Sequence, residues 1–217
     1  PMGTNLNLAV TLAEAGIPSL RYDKIGSGET GLGTHADGSG IDFQLYLQEA
    51  RDAAAYLTSQ PGVDPSKLIL VGHSEGALFA LMLADELSNA GTPPAGLILA
   101  APLSVRYLDL LQSQVGAQVK TAVATQAMTE ADGEALTAEL ASIVESIRST
   151  GELAAPVTNP QLAQIFAPQN IAFLAQADEI DPAKVAGSLP TDLPVLVLLG
   201  YKDAQVTANE VRELFYG

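Results

Sequence analysis

The sequence contains no cysteine. Disulfides, thiol nucleophiles and thiolate metal sites are excluded, and the redox compartment is left unread. Basic residues are few: ten Lys and Arg stand against twenty-five Asp and Glu, a formal charge of −15. Such a balance opposes binding to nucleic acid or to anionic membrane surfaces. No apolar run reaches the ~20 residues of a membrane span, and no basic-then-apolar leader opens the chain. The sequence therefore reads as a soluble protein, with the choice between a cytoplasmic and a secreted compartment open and the oligomeric state unread. Histidine is nearly as scarce as cysteine, with only His35 and His73. With no H-x-x-H or cysteine cluster, neither a metal nor another cofactor is expected.

What is present centres on Gly72-His73-Ser74-Glu75-Gly76, which reads G-x-S-x-G. It lies between the apolar run Leu68 to Val71 and the helix-like run Ala77 to Ala84, the strand-turn-helix context that gives this motif its chemistry. A turn that sharp lifts the serine hydroxyl out of the top of a parallel sheet. It forces a positive φ on Ser74 and asks for small residues at 72 and 76. The following helix aims its positive end at the same point, so the Glu75 N–H is a candidate oxyanion donor.

The 217 residues suffice for one sizeable domain, or one with an insertion. Leu6, Val10 and Ala13 fall at helical spacing before the stop at Gly16, and Ile17 to Asp23 reads as a strand. Gly26-Ser27-Gly28-Glu29-Thr30-Gly31 matches G-x-G-x-x-G. A dinucleotide site needs those glycines to open a helix directly behind a strand, whereas here the loop runs on through Gly33, Gly38 and Gly40. It is read as a glycine-rich loop. Asp42 is the expected N-cap of a helix whose apolar stripe is Phe43, Leu47, Ala50, Ala54 and Leu57. Ala95 to Ala101 is an apolar strand, expected to be covered on both faces.

From Leu103 to about Leu189 helices follow one another without strands. Thr129 to Asp132 is a helix start, and the stripe Leu136, Leu140, Ile143, Val144 and Ile147 ends at Gly151. Alternation then resumes with the strand Pro194 to Gly200 and a helix opened by a capping box of Thr207 and Glu210, its inner face Val211, Leu214 and Phe215. Strand and helix alternating this way predict a mostly parallel sheet with helices on both faces. The division expected is a core over 1–103, a helical lid over 104–189 and a second core part over 190–217.

Three separated series, Gly16 to Lys24, Val71 to Gly76 and Leu199 to Val206, closely resemble the α/β-hydrolase fold of bacterial serine esterases and the related aminopeptidase-like group. The resemblance implies Ser74 as nucleophile and Asp203, on the loop after a late strand, as the triad acid. It also implies early strands, a second oxyanion-donor loop of which Pro1 to Asn5 is the far end, and a last strand leading to a histidine. These letters do not contain the early strands, the last strand or that histidine. Of the histidines present, His73 is read as structural, and His35 as a loop residue that stands in as base only if the family's histidine does not. Arg21 and Asp23 are expected to lock the loop beside the site.

The implied chemistry is hydrolysis of a small-molecule carboxylic ester, of short acyl chain, through an acyl-enzyme on Ser74. The same apparatus serves aminopeptidases, amidases and thioesterases. A binding domain that keeps the fold without the base is the alternative from another class.

Overall fold

In a computed structural model the described residues are 4–200 together with 203, 206, 211, 212 and 214. Helix α1 (Thr4–Glu14) ends at Gly16, whose φ of 74° is the left-handed turn that glycine takes without strain. Residues 17–23, expected as a strand, run without secondary structure and are exposed. Their composition suits a strand, but β-propensity is realised only against a neighbour, and no ladder is formed there.

Helix α2 (Phe43–Thr58) starts as its sequence predicts. The Asp42 carboxylate accepts the Leu45 N–H at 2.9 Å, and Phe43 and Leu47 are fully buried. Strand β1 (Ile69–His73) leads through Ser74 into α3 (Glu75–Asn89), and β2 (Gly96–Ala100) follows. After five helices, α4 (Tyr107–Ala124), α5 (Glu130–Thr150), α6 (Pro160–Ile165), α7 (Pro168–Glu179) and α8 (Pro182–Ser188), the chain returns to the sheet as β3 (Val195–Leu198). The three strands are parallel in the order β1-β2-β3, with His73 opposite Ala100 and Ala100 opposite Leu198. Parallel pairing brings all three C-terminal ends to one edge, so Ser74, Ala101 and Leu199 emerge side by side.

One face of the sheet is sealed by α3. Leu97 and Leu99 pack there with Leu81 and Ala84, and Val185 of α8 and Leu189 just after it join the same cluster. Helix α3 is buried nearly all round, from Ala77 to Leu81 without a break, because α2 covers its far side; this explains an apolar run with no polar stripe. On the other face Ile69, Val71, Leu196 and Leu198 are exposed, and Ile98 is half-buried. The central strand β2 is thus closely packed on one side only among the described residues. A continuous apolar run distinguishes a buried strand from a solvated loop, but not one covered face from two.

Helices α4 to α7 build a core of their own from the predicted stripe of α5 together with Leu108, Leu162 and Phe166. Thr129 caps α5 and Gly151 ends it at φ 75°, both as expected. Sequence periodicity did not disclose the ionic centre of this bundle. Asp178 is 2 % exposed. Its carboxylate accepts from Arg106 at 2.9 Å, from Arg148 at 2.8 and 3.1 Å, and from the Leu108 N–H at 2.8 Å. That last bond satisfies an amide at the start of α4, which has no intrahelical partner. Val211 and Leu214 are buried, as the final apolar pattern requires, whereas Thr207, Glu210 and Phe215 lie outside the described residues. No described helix is long and apolar enough to cross a membrane.

Because Asp178 serves two arginines and a helix terminus at once, Asp178→Ala is expected to cost about 3 kcal/mol. Urea denaturation followed by circular dichroism measures it, and a loss under 1 kcal/mol would mean that the arginines rehydrate without penalty.

Candidate functional site

The corner at residue 74 begins with Gly72. A Cβ on Gly72 would fall on the carbonyl oxygen of Gly76 and 2.5 Å from the Ala77 Cα, so only glycine lets the first turn of α3 pass this close to β1. Gly76 is different: no atom lies within 4 Å of its would-be Cβ. The motif leads one to expect a steric need at both positions, but packing imposes it at Gly72 alone. Between them Ser74 adopts φ 54° and ψ −119°. Such a backbone costs about 1–3 kcal/mol in a non-glycine residue and persists only where the surroundings over-determine it. Here the Ser74 N–H donates to the Ala100 carbonyl at 2.9 Å, and its own carbonyl accepts the Ala77 N–H at 3.0 Å.

Ser74 occupies the N-cap position of α3, where a serine ordinarily accepts an amide proton through its hydroxyl. Its side chain makes no capping bond. The residue is half-buried, so an alcohol sits at the positive end of a helix without being engaged as a cap. Glu75 opens α3, and its N–H is one of the amides with no carbonyl four residues back to bond.

The Glu75 side chain is held from two directions. Lys24 Nζ donates to Oε1 at 2.8 Å, and Tyr107 Oη donates to Oε2 at 2.8 Å. Lys24 lies in the loop after residues 17–23, with its ammonium 4.6 Å from the Tyr46 ring centroid, and Tyr107 is the first residue of α4. Burial, reinforced by the Glu75 charge, pushes the Tyr107 phenol far above its ordinary range. Neither Lys24 nor Tyr107 carries a motif that assigns it a part. Both contacts join residues far apart in sequence, and no local periodicity encodes them.

Asp203 follows β3 on the same sheet edge and is half-buried. Its carboxylate accepts the Val206 N–H at 3.1 Å, and its own N–H donates to the Gly200 carbonyl at 3.0 Å, a turn that holds it just past the strand. His73 is exposed as the last residue of β1, on the face with Ile69 and Val71. His35 is used inside its own loop, its Nδ1 lying 2.6 Å from the Ser39 carbonyl oxygen.

The glycine-rich loop closes on Asp23. That carboxylate accepts the Glu29 N–H at 3.1 Å, the Asp23 carbonyl accepts the Thr30 hydroxyl at 2.7 Å, and a Cβ on Gly28 would collide with the Asp23 side chain. No helix opens at these glycines, the next beginning at Phe43. Asp23 locks the loop through backbone groups, and Arg21 forms no ion pair with it among the described residues. Of Pro1 to Asn5, expected as the far end of a second donor loop, residues 1–3 lie outside the described residues, and 4 and 5 open α1 instead.

The family model of the serine aminopeptidases S33 matches residues 2–217. The chain belongs to that family. As an S33 member it has the α/β-hydrolase fold, in keeping with its parallel sheet, its elbow at Ser74 and its helices. Two proteins named multifunctional-autoprocessing repeats-in-toxin are similar to this S33 chain. They come from Vibrio cholerae serotype O1 (strain ATCC 39315 / El Tor Inaba N16961) and from Vibrio vulnificus, and each is 35% identical over 88 residues, 41% of this chain. The chain spans about 2% of the length of these curated relatives. Among solved structures, a highly thermostable carboxyl esterase from Bacillus coagulans in complex with glycerol is 20% identical, with a TM-score of 0.48, over 88% of this chain and 64% of that one.

Two measurements test the corner. Gly72→Ala is expected to lower stability by about 3 kcal/mol and Gly76→Ala to change it by less than about 1 kcal/mol; equal costs would show that the approach of α3 to β1 is not what Gly72 permits. The Tyr107 phenol keeps its proton when folded but loses it near pH 10 when unfolded. Above that pH the unfolded state binds fewer protons, so stability falls as pH rises. Tyr107→Phe should flatten this fall by up to about 1.4 kcal/mol per pH unit, as read from urea denaturation between about pH 9 and 11.

Proposed function

We propose that Ser74 is the nucleophile of a serine hydrolase acting on carboxylic esters of short acyl chain, with Asp203 as the acid that orients and supports its base. The observation that carries the reading is the strained backbone of Ser74 at the N-terminus of α3 with its hydroxyl unused as a cap. Strain of that kind is characteristic of functional positions, and the inference runs from the observed outlier to the role. In this mechanism a base takes the Ser74 proton as Oγ bonds to the ester carbonyl carbon. The oxyanion that forms meets the Glu75 N–H. The alkoxide then leaves with the proton from the base, and water repeats the attack to release the acid.

Asp203 stands two strands from Ser74 on the same edge, roughly 10 Å at ordinary strand spacing. That gap is of the size a hydrogen-bonded imidazole bridges. The base is proposed to be a histidine from outside these 217 residues, since His35 is bound in its own loop and His73 faces away along the strand. The helices of 104–189 are proposed as a lid, on the observation that α4 to α7 bury a core separate from the sheet.

The test adds imidazole to the chain as an external base. Turnover of p-nitrophenyl butyrate above the level of Ser74→Ala in the same buffer is expected, with a fluorophosphonate probe attached at residue 74. Because the family's description names an aminopeptidase, an aminoacyl p-nitroanilide and a thioester belong in the same panel, and whichever turns over fastest sets the substrate class. Equal rates for the wild type and Ser74→Ala on every substrate, with no labelling at Ser74, would favour the binding-domain alternative.

A further inference from the structure

The geometry points to Lys24 and Tyr107 as positioning residues that act through the Glu75 carboxylate, holding the Glu75 N–H in place for the oxyanion and cancelling the charge beside it. The inference rests on the reading of Ser74 as nucleophile. A carboxylate at the first position of α3 is well placed for the helix dipole, but it stands one residue from the hydroxyl beside which the substrate's carbonyl oxygen would take up a second negative charge. Two like charges about 6 Å apart repel appreciably at the dielectric of a protein surface, so an unpaired Glu75 would work against the amide it carries.

The pairing removes that conflict. Lys24 Nζ, 2.8 Å from Oε1, supplies the opposite charge, and Tyr107 Oη, 2.8 Å from Oε2, takes up the other oxygen. With both oxygens engaged the carboxylate is held at two points, and the backbone to which it is attached loses freedom to turn. Both partners are themselves fixed. Tyr46 lies under the ammonium, and Tyr107 packs edge-on against Phe173 with ring centroids 5.5 Å apart. Tyr107 also precedes Leu108, whose N–H is bound by Asp178. The helical insertion is thereby connected to the donor amide through one phenol, so displacement of α4 would be felt at Glu75.

The experiment measures the second-order rate of fluorophosphonate labelling at Ser74 in the full chain, with imidazole present and thermal melting recorded for every variant. Oγ gives its proton to imidazole as it attacks phosphorus and fluoride leaves, so charge grows on the phosphoryl oxygen that the Glu75 N–H faces. Tyr107→Phe and Lys24→Met should each slow labelling by about tenfold, and Lys24→Arg should restore most of the rate. In a Glu75→Ala background neither Tyr107→Phe nor Lys24→Met should slow it further. An unchanged rate in both single variants, or the same slowing when Glu75 is already alanine, overturns the positioning role while leaving Ser74 a nucleophile. Wild-type chain that labels no better than Ser74→Ala overturns the nucleophile reading and this role together.

Discussion

The close approach of the first turn of α3 to β1 at Gly72 is the constraint from which the rest of the site follows. A helix can start this near a strand only where one residue has no Cβ, and the space gained is taken by the Gly76 carbonyl and the Ala77 backbone. Once that contact is made, the chain between must reverse within a few residues, and Ser74 takes the positive φ. The strain is held by the Ser74 N–H bond to Ala100, which ties the corner to the neighbouring strand. Burial of Leu78 and Leu81 anchors the helix behind it, each worth roughly 2 kcal/mol. The corner is thus stabilised by packing some distance from the hydroxyl it presents.

The insertion is organised on a different principle. Its helices pack through an ordinary apolar stripe, but their register is fixed by a buried carboxylate shared between two arginines and a helix terminus. Apolar contacts of α4, α5 and α7 would tolerate small slides, whereas Asp178 accepts from Arg106, Arg148 and Leu108 together only at one relative placement. Specificity of this sort is a recognised use of buried ionic groups. Here it carries outward, because the residue between Arg106 and Leu108 is the tyrosine that reaches Glu75.

Much of this was legible from residues alone where the signal is local. Asp42, Thr129 and Gly151 mark helix ends by capping chemistry, and the stripes of α2 and α5 give the buried faces directly. The elbow could be read because its steric demand falls on one pentapeptide. Signals that depend on a neighbour were not legible. Ile17 to Asp23 has strand composition without a ladder, the apolar run of β2 did not reveal that only one face is closely packed, and the glycine at 76 matched a pattern whose packing reason is met at 72. Asp178, Lys24 and Tyr107 escaped for the same reason, since their partners are 30 to 72 residues away in sequence.

The electrostatics of the corner show why local pairing outweighs total charge. The chain carries a formal −15, which at first sight is a poor setting for the oxyanion of the proposed reaction. Exposed charges more than about 8 Å away are largely screened at physiological salt, so most of the acidic surface contributes little at Ser74. What remains is the near field: the positive end of α3 and the carboxylate of Glu75 with the ammonium of Lys24 paired to it. The lysine answers the charge of the Glu75 carboxylate, and that pairing decides whether the field at the Glu75 amide favours or opposes an anion.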